Sequence, residues 1–216
     1  MRALNTLFFL LLSMTTIIAN NQNTSTEDNN EEDDMTKTLK QCEKEIEEYK
    51  NCIYGAVYFT KENIDNVCNE YHSEKCQTFI KDPMVVIPSC QSLTEELKST
   101  YEYLFIISKP SMAFFCQKNE NNELCPLVKY ELSGNKDDND LMKAVNDTCQ
   151  SKNCKTVALD LYSILNDTIN DEEAILNEDQ EAIKNNNTIR KVYQTLKSDN
   201  CIASKDSNTK NIKEDL

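Results

Sequence analysis

The sequence predicts an all-α fold, a bundle of short helices stapled by disulfides, and three observations carry that expectation. Turn formers are scarce: 216 residues include only two glycines and four prolines, too few for the tight reversals that a β-rich chain of this length needs. Apolar residues recur every three or four positions through most of the chain, the period of one helix face. Ten cysteines, at 42, 52, 68, 76, 90, 116, 125, 149, 154 and 201, form an even set. Their meaning depends on the compartment.

The chain opens MRALNTLFFLLLSMTTIIANN. Arg2 supplies a short positive start, Leu7 to Leu12 an unbroken apolar run, and Ala19 a small residue at which a signal peptidase could cut. Ser13, Thr15 and Thr16 interrupt the run before it could span a bilayer. Residues 1–19 are therefore expected to be a signal peptide, and the mature chain to be secreted, extracellular and without a membrane span. In that oxidising setting Cys42, Cys52, Cys68, Cys76, Cys90, Cys116, Cys125, Cys149, Cys154 and Cys201 are expected to form disulfides, each stabilising by about 2–4 kcal/mol. N-x-S/T sequons at Asn23, Asn146, Asn166 and Asn186 agree with a glycoprotein on that route.

The elements follow in order. Segment 20–36 is acidic and polar and is expected to be disordered. In TLKQCEKEIEEYKNCIYGAVY (38–58), Leu39, Cys42, Ile46, Tyr49, Ile53 and Val57 form one stripe, which predicts an amphipathic helix. Thr60 is placed to cap a second helix carrying Ile64, Val67, Cys68 and Tyr71, and Ser73 to cap a short one through Ile80. Pro83 and Pro88 break the chain. Ser92 with Glu95 has the form of a capping box. It would open a helix with Leu93, Leu97, Tyr101, Leu104 and Ile107, which Pro110 should end or kink. Pro126 suits a first helical turn. Residues 133–140 read as a loop, with Asn139 or Asp140 capping the next helix. A longer helix then runs through Val157, Leu161, Ile164, Leu165 and Ile169, followed by helical segments 171–184 and 187–198. Residues 202–216 are polar and again expected to be disordered.

IDNVCNEYHSEKCQTFI (64–80) and LMKAVNDTCQSKNCKTVAL (141–159) share an order: helix, cysteine, polar insert, cysteine, threonine. Two readings stay open, a single bundle or two similar helical modules at 37–109 and 110–201. If each module is a hairpin bridged where helix ends meet, nested pairs follow: Cys52–Cys68, Cys42–Cys76, Cys125–Cys149 and Cys116–Cys154, with Cys90–Cys201 tying the halves.

The sequence holds few groups suited to chemistry. Cys68, His72 and Cys76 are spaced four and four, and on one helix face two sulfurs and an imidazole would suit zinc. His72 is the only histidine, no C-x-x-C pair adds thiolates, and oxidised sulfur is a poor ligand. No metal, cofactor or catalytic residue is therefore expected, and His72 reads as a partly exposed helix residue. KDDNDLMK lacks the glycine and closing glutamate of a calcium loop. Nucleophile-elbow, zinc-protease, phosphate-loop and dinucleotide motifs are absent, so the chain is not expected to be an enzyme. Phe105, Ile106, Phe114 and Phe115 make a conspicuously apolar stretch, either core or the lining of a pocket.

Acidic residues number 37 against 23 basic ones, for a net charge of −14, and the loss of Arg2 with the leader makes the chain more acidic still. Such a surface disfavours nucleic acid and anionic membranes. The expected function is that of a secreted, non-enzymatic binding or interaction protein, its partner an unknown protein, a glycan or a small apolar ligand. The alternatives are a carrier holding an apolar ligand within the bundle, or a resident of the endoplasmic reticulum lumen. The last depends on the ending KEDL, a retrieval tail with its two acids exchanged.

The cysteine order around KCQTFIKDP, IPSC, NENNELCP and TCQSKNC resembles that of uncharacterised secreted, cysteine-rich helical proteins of anaerobic gut fungi, over residues 40 to 200. That resemblance implies no activity. The fungal cellulosome docking module has a tryptophan-rich cysteine pattern, which a chain without tryptophan does not share.

Overall fold

A computed structural model describes residues 31–53, 58–135, 137–172 and 180–201. The expected signal peptide, Asn23, most of the acidic segment, the 202–216 tail with its KEDL ending and the stretch 173–179 lie outside the described residues. Those described are helical, apart from turns and one isolated bridge between Lys118 and Leu124. The helices are α1 (Glu31–Glu47), α2 (Ile64–Tyr71), α3 (Glu74–Lys81), α4 (Pro83–Val86), α5 (Glu95–Cys116), α6 (Pro126–Ser133), α7 (Asp138–Thr148), α8 (Lys152–Glu172) and α9 (Gln180–Lys197), with 3-10 turns at Lys50–Cys52 and Pro88–Ser92. No described helix is long and apolar enough to cross a membrane.

Two apolar clusters share the long helix α5. The first gathers Cys42, Cys52, Ile53, Phe79, Ile87 and Phe105 between α1, α3, the 3-10 turns and the first half of α5. The second is larger. It packs α2 and the second half of α5 against α6 to α9, around Met112, Phe114, Phe115, Leu127, Leu161 and Leu165. The helix α5 runs unbroken through Pro110 to Cys116, so the expected division at 109/110 falls inside a helix, and α2 belongs with the second cluster. Pro110 costs the helix one hydrogen bond; Phe114 and Phe115, each 1% exposed, hold the turn beyond it in place.

Several expected caps hold. The Ser73 hydroxyl accepts from the Cys76 amide at 3.3 Å. Thr60, expected as the cap of α2, lies three residues before the cap position Asn63, with which it exchanges side-chain to backbone bonds. Pro126 occupies the first turn of α6, which ends on Gly134 in the left-handed conformation, φ 67°, where the missing Cβ removes the strain.

Others moved. Residues 31–36 are helical, because Met35 and Leu39 extend the Cys42–Ile46 stripe toward the first cluster. The helix expected to reach 58 stops at Glu47. There the Lys75 ammonium donates to the Glu48 carbonyl at 2.7 Å and sits 5.0 Å above the Tyr49 ring, which stacks on Phe79. A basic side chain on the last carbonyls is a natural stop. Ser92 does not box with Glu95: it lies in the Pro88–Ser92 turn, and α5 begins after Thr94. The cap of α7 is Asp137, two or three residues earlier than expected, accepting from the Asn139 and Asp140 amides at 2.8 and 3.0 Å. The two final segments join at their C-terminal side into the single helix α9.

The nested pairing is overturned entirely. The bridges are Cys42–Cys90, Cys52–Cys76, Cys68–Cys116, Cys125–Cys154 and Cys149–Cys201. The reason is local: the chain breaks at His72–Ser73, so Cys68 faces α5 from α2 while Cys76 faces the Lys50–Cys52 turn from α3. The two similar segments share this plan. In each, a serine caps a helix by accepting from the amide of the cysteine three residues on, Ser73 for Cys76 and Ser151 for Cys154. That cysteine bridges 24 or 29 residues back, to Cys52 or Cys125. The cysteine before the cap bridges 48 or 52 residues forward, Cys68 to Cys116 and Cys149 to Cys201. The bridges interlace within each half, and Cys42–Cys90 is the extra one.

Candidate functional site

All ten cysteines are consumed in bridges and none is free. Cys68 and Cys76 therefore flank His72 as halves of two different disulfides, and His72 is exposed at the end of α2, 4.9 Å from the Tyr71 ring. Among the described residues no group of three metal-ligating side chains comes together. Among the described residues three sequon asparagines lie on three helices. Asn146 is exposed on α7, while Asn166 on α8 and Asn186 on α9 are half-buried.

The apolar stretch divides. Phe105, Phe114 and Phe115 are core, but Ile106 is 60% exposed. It lines an open groove of about 410 Å³. One wall is the α5 stripe Glu102, Phe105, Ile106 and Lys109, whose spacing of three and four residues sets them along one face. The other wall is Ile80, at the end of α3, with Pro83 and Met84 of α4.

Local sequence explains why this wall stands off from α5. Asp82 caps α4 by accepting from the Val85 amide at 3.4 Å, and Pro83 fills its first turn. The chain therefore turns sharply after α3 instead of continuing along α5. Gln91 closes the corner by donating to the Met84 carbonyl at 2.7 Å. Bridges hold both sides. Cys52–Cys76 fixes α3, Cys42–Cys90 fixes the turn after α4, and Cys68–Cys116 fixes the end of α5. The volume lies in the range of small-molecule pockets, and an apolar lining with a few polar groups at its rim is their usual make-up.

Sequence reasoning caught one wall only in part. It singled out Phe105 and Ile106 but took Pro83 and Met84 for a simple break. The signal available was the i, i+3, i+4, i+7 run of Glu102, Phe105, Ile106 and Lys109, in which two charges frame two apolar residues.

A larger cleft of about 700 Å³ lies between the start of α8 and the end of α9, lined by Lys152, Lys155 and Lys197 with Asp160 and Asp199. Two of its lysines have neutral partners within the protein. Lys155 donates to the Cys201 carbonyl, and Lys197 lies 5.4 Å from the Tyr193 ring centre. The nearby start of α8 is also satisfied. Glu120 accepts from the Asn153 amide at 3.1 Å. A hydrogen bond from Ser151, with backbone donors at the same helix end, holds the Glu120 carboxyl below the usual range.

The bridged helices and the open apolar groove define a disulfide-stapled all-α protein. Comparison with family models, with curated proteins and with solved structures gives no match.

Proposed function

We propose that the protein is a secreted, non-enzymatic binding protein whose groove between α3–α4 and α5 takes a small apolar ligand. One observation carries this reading: Ile106 stands 60% exposed in a groove lined by Ile80, Met84 and Phe105, on a chain of net charge −14. Exposed aliphatic carbon facing further aliphatic carbon gains about 25 cal/mol per Å² when an apolar ligand covers it. The ligand lies against the surface and is not sealed in the bundle, since Phe114 and Phe115 fill the interior. The bridges favour binding by fixing the walls beforehand, so little conformational freedom is lost when a ligand enters. Five disulfides also favour an oxidising compartment, in keeping with the leader-like start and the sequons.

The test is fluorescence titration of the oxidised full chain with an uncharged naphthalene probe, 1-naphthalenemethanol. Binding at micromolar to millimolar probe is expected. Ile106→Asp should weaken it at least about tenfold by placing a charge against the ligand. Ile183→Asp, on α9, should leave it unchanged. No saturable binding, or equal binding by Ile106→Asp, removes the proposal.

A further inference from the structure

One acceptor lies on the apolar wall of the groove: the Glu102 carboxylate, half-buried among the lining residues and forming no ion pair with another described residue. Lys109, at the far end, is exposed and free to extend into water, where a long charged side chain is least costly.

Resting on the groove as a ligand site, we infer that the ligand is a small apolar amine, bound as its ammonium ion. The apolar body covers Ile80, Met84 and Ile106, while the ammonium donates to the Glu102 carboxylate. Charge complementarity points the same way at long range: a chain of net charge −14 concentrates cations and repels anions. An anionic ligand would have only Lys109 to meet it, against Glu102 in the wall.

The experiment uses three probes of one shape on the oxidised full chain: 1-naphthylmethylamine, 1-naphthalenemethanol and 1-naphthoate, by calorimetry at pH 7 and 0.15 M salt. The amine should bind about tenfold more tightly than the alcohol, the difference expected of a charge-assisted hydrogen bond, and the carboxylate most weakly. Glu102→Gln should bring amine and alcohol to near parity. Equal binding of amine and alcohol, tighter binding of the carboxylate, or an amine preference that survives Glu102→Gln overturns the inference while the groove remains a ligand site. Failure of all three probes to bind overturns the proposed function with it.

Discussion

Glu45 illustrates how single side chains fasten this fold. Its carboxylate accepts from the Ser89 hydroxyl at 2.6 Å and from the Ser89 amide at 3.1 Å, joining α1 to the turn that carries Cys90. Burial pushes the Glu45 carboxyl up, but the hydrogen bonds from Ser89 and Gln41 outweigh it and hold the group below the usual carboxylate range. A carboxyl whose folded pKa lies below its unfolded value, about 4.3 for Glu, stabilises fully above that value. It loses the contribution as pH falls through the folded pKa. Glu45→Gln should therefore cost about 1–2 kcal/mol at pH 7, and the gap to wild type should narrow as pH falls below about 4.3 and through the lowered folded pKa. Urea unfolding across that range checks it; a gap of constant size would show that the charge is immaterial. Ser111 is the opposite case. Its hydroxyl is fully buried on α5 and has no hydrogen-bond partner among the described residues. Ser111→Ala removes an unsatisfied group and adds a better helix former, so the midpoint of unfolding should rise, by about 1 kcal/mol in stability.

At the level of elements, the break between α2 and α3 decides the covalent plan. The helical faces were legible in the sequence because they are local: Ile64, Val67 and Cys68 need only their own spacing to declare a buried side. Pairing was not legible, because it depends on where each helix points. The nested scheme placed bridges where the ends of a helical hairpin meet, Cys52 with Cys68 and Cys42 with Cys76. Instead the helix that starts after Ser73 faces a different neighbour from α2, and the two sulfurs part toward α5 and the Lys50–Cys52 turn. The groove was half legible for the same reason: its α5 wall is a stripe, whereas its α4 wall exists only because Asp82 and Pro83 start a separate short helix. The Cys68–Cys116 bridge, spanning 48 residues, is the link between α2 and the end of α5. The chain-entropy relation gives about 4 kcal/mol for a loop of that length. The double substitution Cys68→Ala with Cys116→Ala should lower stability by about that amount while leaving helix content by circular dichroism nearly unchanged. A loss below about 1 kcal/mol would mean that Phe59 stacked on Phe115 at 4.3 Å already fixes α2 without help.

For the molecule as a whole, the bridges oppose two burdens. One is the entropy of ordering many short helices, several of eight residues or fewer, which are too short to be stable alone in water. The other is self-repulsion from a net charge of −14, which favours any expanded state. Domains of this size have net stabilities of about 5–15 kcal/mol. Five loops, the shortest spanning 24 residues, each correspond in isolation to roughly 3–4 kcal/mol. The contributions do not add strictly, since the bridges interlace and share the same unfolded ensemble. Half their sum, about 10 kcal/mol, is as large as that whole net stability. Complete reduction at neutral pH should therefore abolish the cooperative thermal transition, not merely lower its midpoint. Raising salt from 0.02 to about 0.5 M, which screens the acidic surface, should compact the reduced chain without restoring that transition. Calorimetry with and without a phosphine reductant reads this directly. A reduced protein that still melts cooperatively would assign the fold to its two apolar clusters and leave the bridges to guard only against slow unfolding.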